Sequence, residues 1–258
     1  MAEDLDAALD RLAGRPRLLV ALDFDGVLAP LVDDPSASRP LPESADAVRA
    51  LGAADGVDVV LLSGRGRDDL AAVSGLGPPV RLVGSHGGEY DDELGAALGI
   101  GTLLTDEQAA RRGQLIDELQ AMVDDAPGTR LEPKPGGAAV HVRGVGAGVG
   151  AALLDRVRSG PARRDGVHAT EGKDVVDLAV LATSKGSAVR ALRRHLAVDA
   201  VLFAGDDVTD ETAFAVLGPD DVGVKVGDGD TAAAFRVPSP QGFAGVLTRM
   251  ARRRARDS

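Results

Sequence analysis

Short apolar runs at 18–23, 57–63, 80–84, 200–205 and 222–226 each end in a polar or glycine-rich turn. Runs without polar interruption are what strands buried on both faces of a parallel sheet require. Helical periodicity lies between several of them. Residues 43–53 carry Ala47, Val48 and Leu51 on one face, and 185–196 carry Val189, Leu192 and Leu196. Strand and helix therefore alternate, which predicts an α/β fold with a doubly wound parallel sheet.

The alternation breaks between about 105 and 178. That stretch predicts a helix over 106–124, a turn at Ala126-Pro127-Gly128, a strand around 138–143, a Gly/Ala-rich helix near 146–158 and a strand over 173–180. An inserted α+β domain fits it, leaving a core of 1–104 plus 179–258 around an insert of 105–178. Read as extended, 138–144 places His141 and Arg143 on one face and Val140 and Val142 on the other. Such a polar face on an apolar backing offers a surface for a polar ligand, although an ordinary half-exposed strand shows the same alternation. A dinucleotide loop needs strand, GxGxxG and helix in order within a βαβ unit, with an acid about twenty residues on; the glycine run Gly144 to Gly150 matches this only superficially and reads as a flexible helix entry.

Composition narrows the function classes. The 40 Asp and Glu against 29 Lys and Arg give a formal charge of −11, which disfavours nucleic acid or an anionic membrane as a partner. There is no cysteine, so disulfides, zinc–thiolate centres and thiol nucleophiles are excluded, in keeping with a cytoplasmic location. No apolar stretch reaches membrane-span length. The Arg-rich end, Arg249 to Arg256, reads as a solvated helix end.

Candidate chemistry sits where the strands end. Asp23-Phe24-Asp25-Gly26 puts two carboxylates, two residues apart, just beyond the first run. In open α/β sheets ligands bind outside the carboxyl ends of the strands, and paired acids without Cys or His point to phosphoryl transfer through an aspartate with a hard cation. The second run leads into Ser63-Gly64-Arg65, a common turn that also offers a hydroxyl, backbone N–H groups and a guanidinium to phosphate oxygens. The fourth leads into Asp206-Asp207-Val208-Thr209-Asp210-Glu211. Carboxylates at this density suit Mg²⁺, while an N-cap at Thr209 followed by Glu211 accounts for some of them. Lys185 opens a helix, where a cation opposes the helix dipole and calls for a compensating anion.

In this order, Asp23-Phe24-Asp25-Gly26, Ser63, Lys185 and Gly205-Asp206-Asp207, the set resembles the haloacid dehalogenase superfamily of phosphohydrolases. Leu62-Ser63-Gly64-Arg65, Gly84-Ser85-His86-Gly87-Gly88-Glu89, Leu131-Glu132-Pro133-Lys134, Val140-His141-Val142-Arg143 and Gly172-Lys173 narrow the likeness to the trehalose-6-phosphate phosphatases, over nearly the whole chain. The resemblance implies a Rossmann-like core with an inserted cap domain, and hydrolysis of trehalose 6-phosphate with Mg²⁺ as cofactor. It makes Asp23 the nucleophile, Asp25 the general acid/base, Ser63 and Lys185 the phosphate holders, and Asp23, Asp25, Asp206 and Asp207 the metal group. Glu132, Lys134, His141, Arg143 and Lys173 would face the disaccharide, with Arg65, His86 and Gly87 helping from the core. Asp177 stands where the family has Glu, and Val27 where it often has Thr. The implied partners are the sugar phosphate and the synthase that supplies it, with no nucleic acid and no membrane. The alternatives are a phosphatase of sucrose 6-phosphate or mannosyl-3-phosphoglycerate, a phosphotransferase, and a catalytically silent sugar-phosphate sensor.

Overall fold

Strand β1 (Leu18–Leu22) is buried at every position because its alternate side chains enter two different cores. Leu18, Val20 and Leu22 belong to one apolar cluster, and Leu19 and Ala21 to the other. The first cluster is completed by helices α1 (Leu5–Ala13), α2 (Pro42–Gly52), α3 (Arg67–Ser74) and α9 (Pro240–Asp257), the second by α4 (Asp92–Ala97), α7 (Lys185–Leu196) and α8 (Glu211–Phe214). A sheet with helices on both faces explains why the strand sequence carries no polar alternation.

The computed structural model describes residues 4–98, 104–134, 136–172, 174–181 and 183–257. The chain divides into two compact units, Met1–Ile100 with Ser184–Ser258, and Gly101–Thr183. In the first, β1 is joined by β2 (Val57–Leu62), β3 (Arg81–Val83), β8 (Ala200–Gly205), β9 (Val222–Val226) and β10 (Phe235–Val237), in the order β10-β9-β8-β1-β2-β3. Every pairing in this sheet is parallel. From β1 the chain winds outward through β2 and β3, then returns to β8 on the other side, so the winding reverses between β1 and β8. Such a switch point opens a crevice at the carboxyl ends of the two strands. Asp23 and Asp206 follow those two ends directly.

The second unit holds β4 (Arg130–Lys134), β5 (Gly137–His141), β6 (His168–Gly172) and β7 (Val175–Ala179) in an antiparallel sheet ordered β4-β5-β7-β6. Helices α5 (Asp106–Asp124) and α6 (Ala147–Ser159) cover one face, where Ala138, Val140, Val176 and Leu178 pack with Leu115, Leu119, Leu153 and Val157. A capping box between Thr105 and Gln108 fixes the start of α5. Directly opposed residues share a face, so the register puts Arg130, Glu132, Lys134, His141, Asp177 and Thr170 together on the other side.

Two expectations need correction, and two strands went unpredicted. Strand β5 ends at His141, and Arg143 lies exposed in the turn that follows, where Val142 N–H donates to the Asp174 carbonyl at 2.9 Å and Gly144 takes a positive φ of 78°. Strands β4 and β6 were not legible, because Glu132-Pro133-Lys134 and Thr170-Glu171-Gly172 carry polar or helix-breaking residues without an apolar run. The acid-rich loop after β8 is capped by Asp207, not Thr209, and turns through a 3-10 segment (Val208–Asp210) into the four-residue α8.

The arginine-rich helix α9 is anchored rather than loosely solvated. Arg254 is 8% exposed and donates to the carbonyls of Ala13 at 2.9 Å, Arg15 at 2.7 Å and Asp55. Among the described residues no helix is long and apolar enough to cross a membrane. Arg254→Ala leaves three carbonyls without this donor and should lower stability by about 2–4 kcal/mol. Denaturant unfolding checks this, and a shift below about 0.5 kcal/mol would mean water replaces the guanidinium freely.

Candidate active site

Asp23 is carried to the crevice by the last hydrogen bond of the β1–β8 ladder, Asp23 N–H to the Ala204 carbonyl at 3.0 Å. Its Oδ1 accepts from Phe24 N–H at 2.7 Å and lies 3.0 Å from the Nζ of Lys185. The lysine opens α7, whose capping box between Ser184 and Ser187 fixes the first turn. The anion its place against the helix dipole calls for is supplied twice, because Nζ also donates to Asp210 Oδ1 at 2.7 Å. Burial works against the ammonium, but the charges of Asp210 and Asp23 outweigh it and hold Lys185 protonated well above its usual range.

Asp210 is fully buried, and both of its oxygens are bonded. Its second oxygen accepts from the backbone N–H groups of Asp206 and Asp207, each at 3.0 Å, so one carboxylate both fixes the loop after β8 and holds the lysine. A Cβ on Gly205 would sit 2.2 Å from the Asp210 Cγ, which explains glycine at the end of β8. The sequence reading marked Asp210 only as one acid of a cluster. Its period of four from Asp206, back across a tight turn, was the available signal.

The Asp206 carboxylate faces the Asp23-Phe24-Asp25-Gly26 turn closely enough that a Cβ on Gly26 would lie 2.0 Å from its Oδ2. Gly26 also has φ 78°, so both space and backbone require glycine. Carboxylate oxygens of Asp23, Asp206 and Asp210 lie within 4.8 Å of one another. Burial first, then Asp210, push Asp206 up to about 6. Burial, with Asp210 and Asp206, likewise raises Asp23 well above the carboxylate range, against the opposing pull of Lys185. Three acids sharing one cation leave an excess of negative charge. Hard oxygen donors in that condition fit Mg²⁺, with Asp23 and Asp206 as the side chains free to hold it and Asp210 already committed to Lys185 and the loop. Asp207 is exposed, accepts from Val208 N–H at 2.7 Å and lies outside this group.

The Asp25 carboxylate is also outside it, and is held by other partners. Arg65 donates to Oδ2 through Nε at 2.6 Å and to Oδ1 through Nη2 at 2.9 Å, and Ser38 Oγ donates to Oδ1 at 2.8 Å. Arg65 continues to Asp69 at 2.7 Å and to the Pro35 carbonyl at 2.9 Å, with its guanidinium 5.8 Å from the Phe24 ring centre. Burial opposes the guanidinium charge, yet these bonds raise Arg65 above its usual range. The structure thus joins Arg65 to Asp25, a pairing that sequence spacing did not reveal.

Ser63 is 2% exposed at the end of β2, and its Oγ accepts from Arg65 N–H at 3.1 Å. His86 N–H donates to the Ser63 carbonyl at 2.9 Å, and Ser85 N–H to the Arg65 carbonyl at 2.8 Å, locking the loops after β2 and β3 together. Ser85, His86 and Gly87 take positive φ in succession (49°, 54° and 98°). Two non-glycine residues in that region are unusual, and the crossed backbone bonds hold them there. His86 packs so near Gly64 that a Cβ there would lie 2.6 Å from its Cε1.

In the second unit the open sheet face pairs its charges. Glu132 Oε2 and His141 Nε2 are 2.7 Å apart, and Lys134, only 8% exposed, bonds Asp177. The His141 hydrogen bond, outweighing burial and aided by Lys134, draws Glu132 down to about 2. Asp177 is therefore within reach of Lys134, while Lys173 lies outside the described residues.

A profile of the trehalose-phosphatase family matches residues 21–241, from β1 into α9. The chain belongs to the trehalose-phosphatase family. It is 35% identical over 254 residues to the trehalose-phosphate phosphatase of Mycobacterium ulcerans, covering 92% of this chain and 62% of that protein. It is 31% identical over 250 residues to the bifunctional trehalose-6-phosphate synthase/phosphatase of Thermoproteus tenax, covering 95% of this chain and 33% of that protein. The chain spans less than two thirds of the length of either relative. A crystal structure described as a trehalose-6-phosphate phosphatase related protein superposes with a TM-score of 0.72 at 25% identity, covering 93% of this chain and all of that one.

Asp210→Asn tests this carboxylate. An amide cannot accept from Lys185 and from two N–H groups at once, so the variant should lose about 1–3 kcal/mol of stability. A wild-type midpoint in denaturant unfolding would show that Asp210 organises neither the lysine nor the loop.

Proposed function

We propose that this trehalose-phosphatase family member hydrolyses trehalose 6-phosphate, with Asp23 as the nucleophile and Mg²⁺ as cofactor. The observation that carries the reading is the buried Asp23 at the switch point, bonded to Lys185 and clustered with Asp206, in a chain matched by the family from 21 to 241. Mg²⁺ held by the Asp23 and Asp206 carboxylates, with the Asp25 backbone carbonyl, would offset the charge of the phosphate and the acids.

The chain's own groups divide the remaining work. Asp23 forms a bond from its carboxylate oxygen to phosphorus as the bond from phosphorus to the sugar oxygen breaks, and Asp25 gives that oxygen its proton. A water then attacks the phosphoryl-aspartate, Asp25 takes the water's proton, and the P–O bond to Asp23 breaks to restore the carboxylate and release phosphate. Lys185 and Ser63 hold the non-bridging oxygens, and Lys185 keeps Asp23 oriented between turnovers. Arg65, His86 and Gly87 help hold the substrate from the core unit in this reading. Glu132, Lys134, His141, Arg143, Lys173 and Asp177 provide the hydroxyl-binding surface for the disaccharide, in a unit acting as the specificity cap. Hydrogen bonds rather than stacking must carry sugar recognition, because the chain has only five Phe and one Tyr. The reaction is placed in the cytoplasm, supplied by a trehalose-6-phosphate synthase, a pairing that the fused relative from Thermoproteus tenax supports.

The deciding experiment is phosphate release from a panel of sugar phosphates, with and without Mg²⁺. Trehalose 6-phosphate should be preferred, chelation should silence the activity reversibly, and Asp23→Asn should abolish it without altering circular dichroism. Preference for sucrose 6-phosphate or mannosyl-3-phosphoglycerate would replace the substrate, and full activity after chelation would remove the metal. Turnover by a deamidation-free Asp23→Asn sample would remove the covalent route.

The cap residues make a separate prediction. Glu132→Ala, Lys134→Ala and Arg143→Ala should each lower kcat/KM for trehalose 6-phosphate by one to three decades, roughly 1.4–4 kcal/mol at 1.36 kcal/mol per decade. A small aryl phosphate, lacking the sugar, should be hydrolysed at nearly the wild-type rate. Equal losses on both substrates would assign these residues to stability instead.

A further inference from the structure

Ser38 is 0% exposed on the segment that follows the Asp23–Asp25 turn, and its hydroxyl is bonded to Asp25 Oδ1 at 2.8 Å. A buried hydroxyl costs stability unless it is hydrogen-bonded, and here the bond is made to a carboxylate of the reaction centre. The segment is itself built to hold that hydroxyl still. Asp34 Oδ1 accepts from Ser36 N–H at 2.9 Å and Ser36 Oγ at 2.8 Å, a 3-10 turn follows over Pro35–Ala37, and Ser38 N–H donates to the Pro35 carbonyl at 3.3 Å. Arg39 braces it through the carbonyls of Ser36 at 2.8 Å and Ser38 at 2.7 Å.

The same segment touches the other partner of Asp25. The Pro35 carbonyl accepts from Arg65 Nη2 at 2.9 Å, while that nitrogen donates to Asp25 Oδ1 at 2.9 Å. Asp25, Arg65, Pro35 and Ser38 therefore close a ring. The guanidinium fixes the plane of the carboxylate, but it stands at the end of a long side chain and shares its donors with Asp69 and Pro35. Ser38 supplies a short, backbone-anchored third point. We propose that Ser38 is a positioning residue that, with Arg65, aims the Asp25 carboxyl group at the leaving-group oxygen. The inference rests on the reading of Asp25 as proton donor.

Leaving groups separate this role from a merely structural one. A sugar oxygen must be protonated as it departs, whereas nitrophenolate departs without a proton. First-turnover rates would be measured for the sugar phosphate that the panel shows to be turned over fastest and for 4-nitrophenyl phosphate, on the intact chain with Mg²⁺. The amplitude of the nitrophenolate burst counts competent sites, so any unfolded fraction of a variant drops out of the comparison. Ser38→Ala should slow sugar release about ten-fold, since small displacements of a reacting group are costly, and leave the nitrophenolate burst within about two-fold of wild type. Asp25→Asn is the control and should show the same selectivity, with a sugar-release loss on the order of 10²–10⁴. If Ser38→Ala releases sugar at the wild-type rate, or slows both substrates equally while Asp25→Asn stays selective, the role of Ser38 is overturned and that of Asp25 stands. If Asp25→Asn itself slows both equally, or neither, the proton-donor reading fails and the inference about Ser38 goes with it.

Discussion

The buried bond of Lys185 to Asp23 and Asp210 is the constraint around which the first unit is arranged. Removing an ammonium and two carboxylates from water costs several kcal/mol per ion after relaxation. Attraction of about 4 kcal/mol at 4 Å in an effective dielectric near 20 offsets this only when the geometry is close and the remaining lone pairs are satisfied. Here the contacts are 3.0 and 2.7 Å, Asp210 accepts two further backbone bonds, and Asp23 accepts one. Those bonds tie together the end of β1, the start of α7 and the loop after β8. Three sequence-distant segments thus meet at the reversal of the sheet because their charges cannot be buried separately.

This constraint also decides what was legible in the sequence. Helices over 106–124 and 185–196 and strands over 200–205 and 222–226 match α5, α7, β8 and β9, because apolar periodicity and clean caps coincide there. The strands of the second unit were harder to see. Half of each strand faces the open, charged side, and Pro133 and Glu171 stand among the rest, so β4 and β6 carry little local signal. Arg143 was placed in a strand by parity, but parity says nothing about where pairing stops. The bend at Gly144, with φ 78°, ends it.

In the site, residue identity was legible and pairing was not. Lys185 was recognised as a cation in want of an anion, because a helix start disfavours it. That its anions would be Asp23 and Asp210 depends on contacts across 162 and 25 positions, which no local pattern carries. The same holds for Arg65. Its position after Ser63 suggested phosphate, while the fold gives it Asp25, 40 residues away. Ser38 left no trace in the pattern, since a single serine on a loop is common and only its complete burial beside a carboxylate distinguishes it.

Four aspartates crowd one crevice, and what separates their capacities is how many acceptor positions each has left. A carboxylate offers about four lone-pair sites. Asp210 uses three of them internally and is sealed from solvent, so it can organise but not react. Asp25 gives three to Arg65 and Ser38, which fixes its orientation while leaving it about one-third exposed. Asp23 accepts from Lys185 and from Phe24 N–H on Oδ1 alone, and its carboxylate also bonds the Asp206 side chain. Asp206 is held up near 6 by burial and by its acidic neighbours, a strain that an added cation would relieve. Identical side chains therefore acquire different chemistry from the donors around them, and those donors are set by the sheet order that brings β1 beside β8.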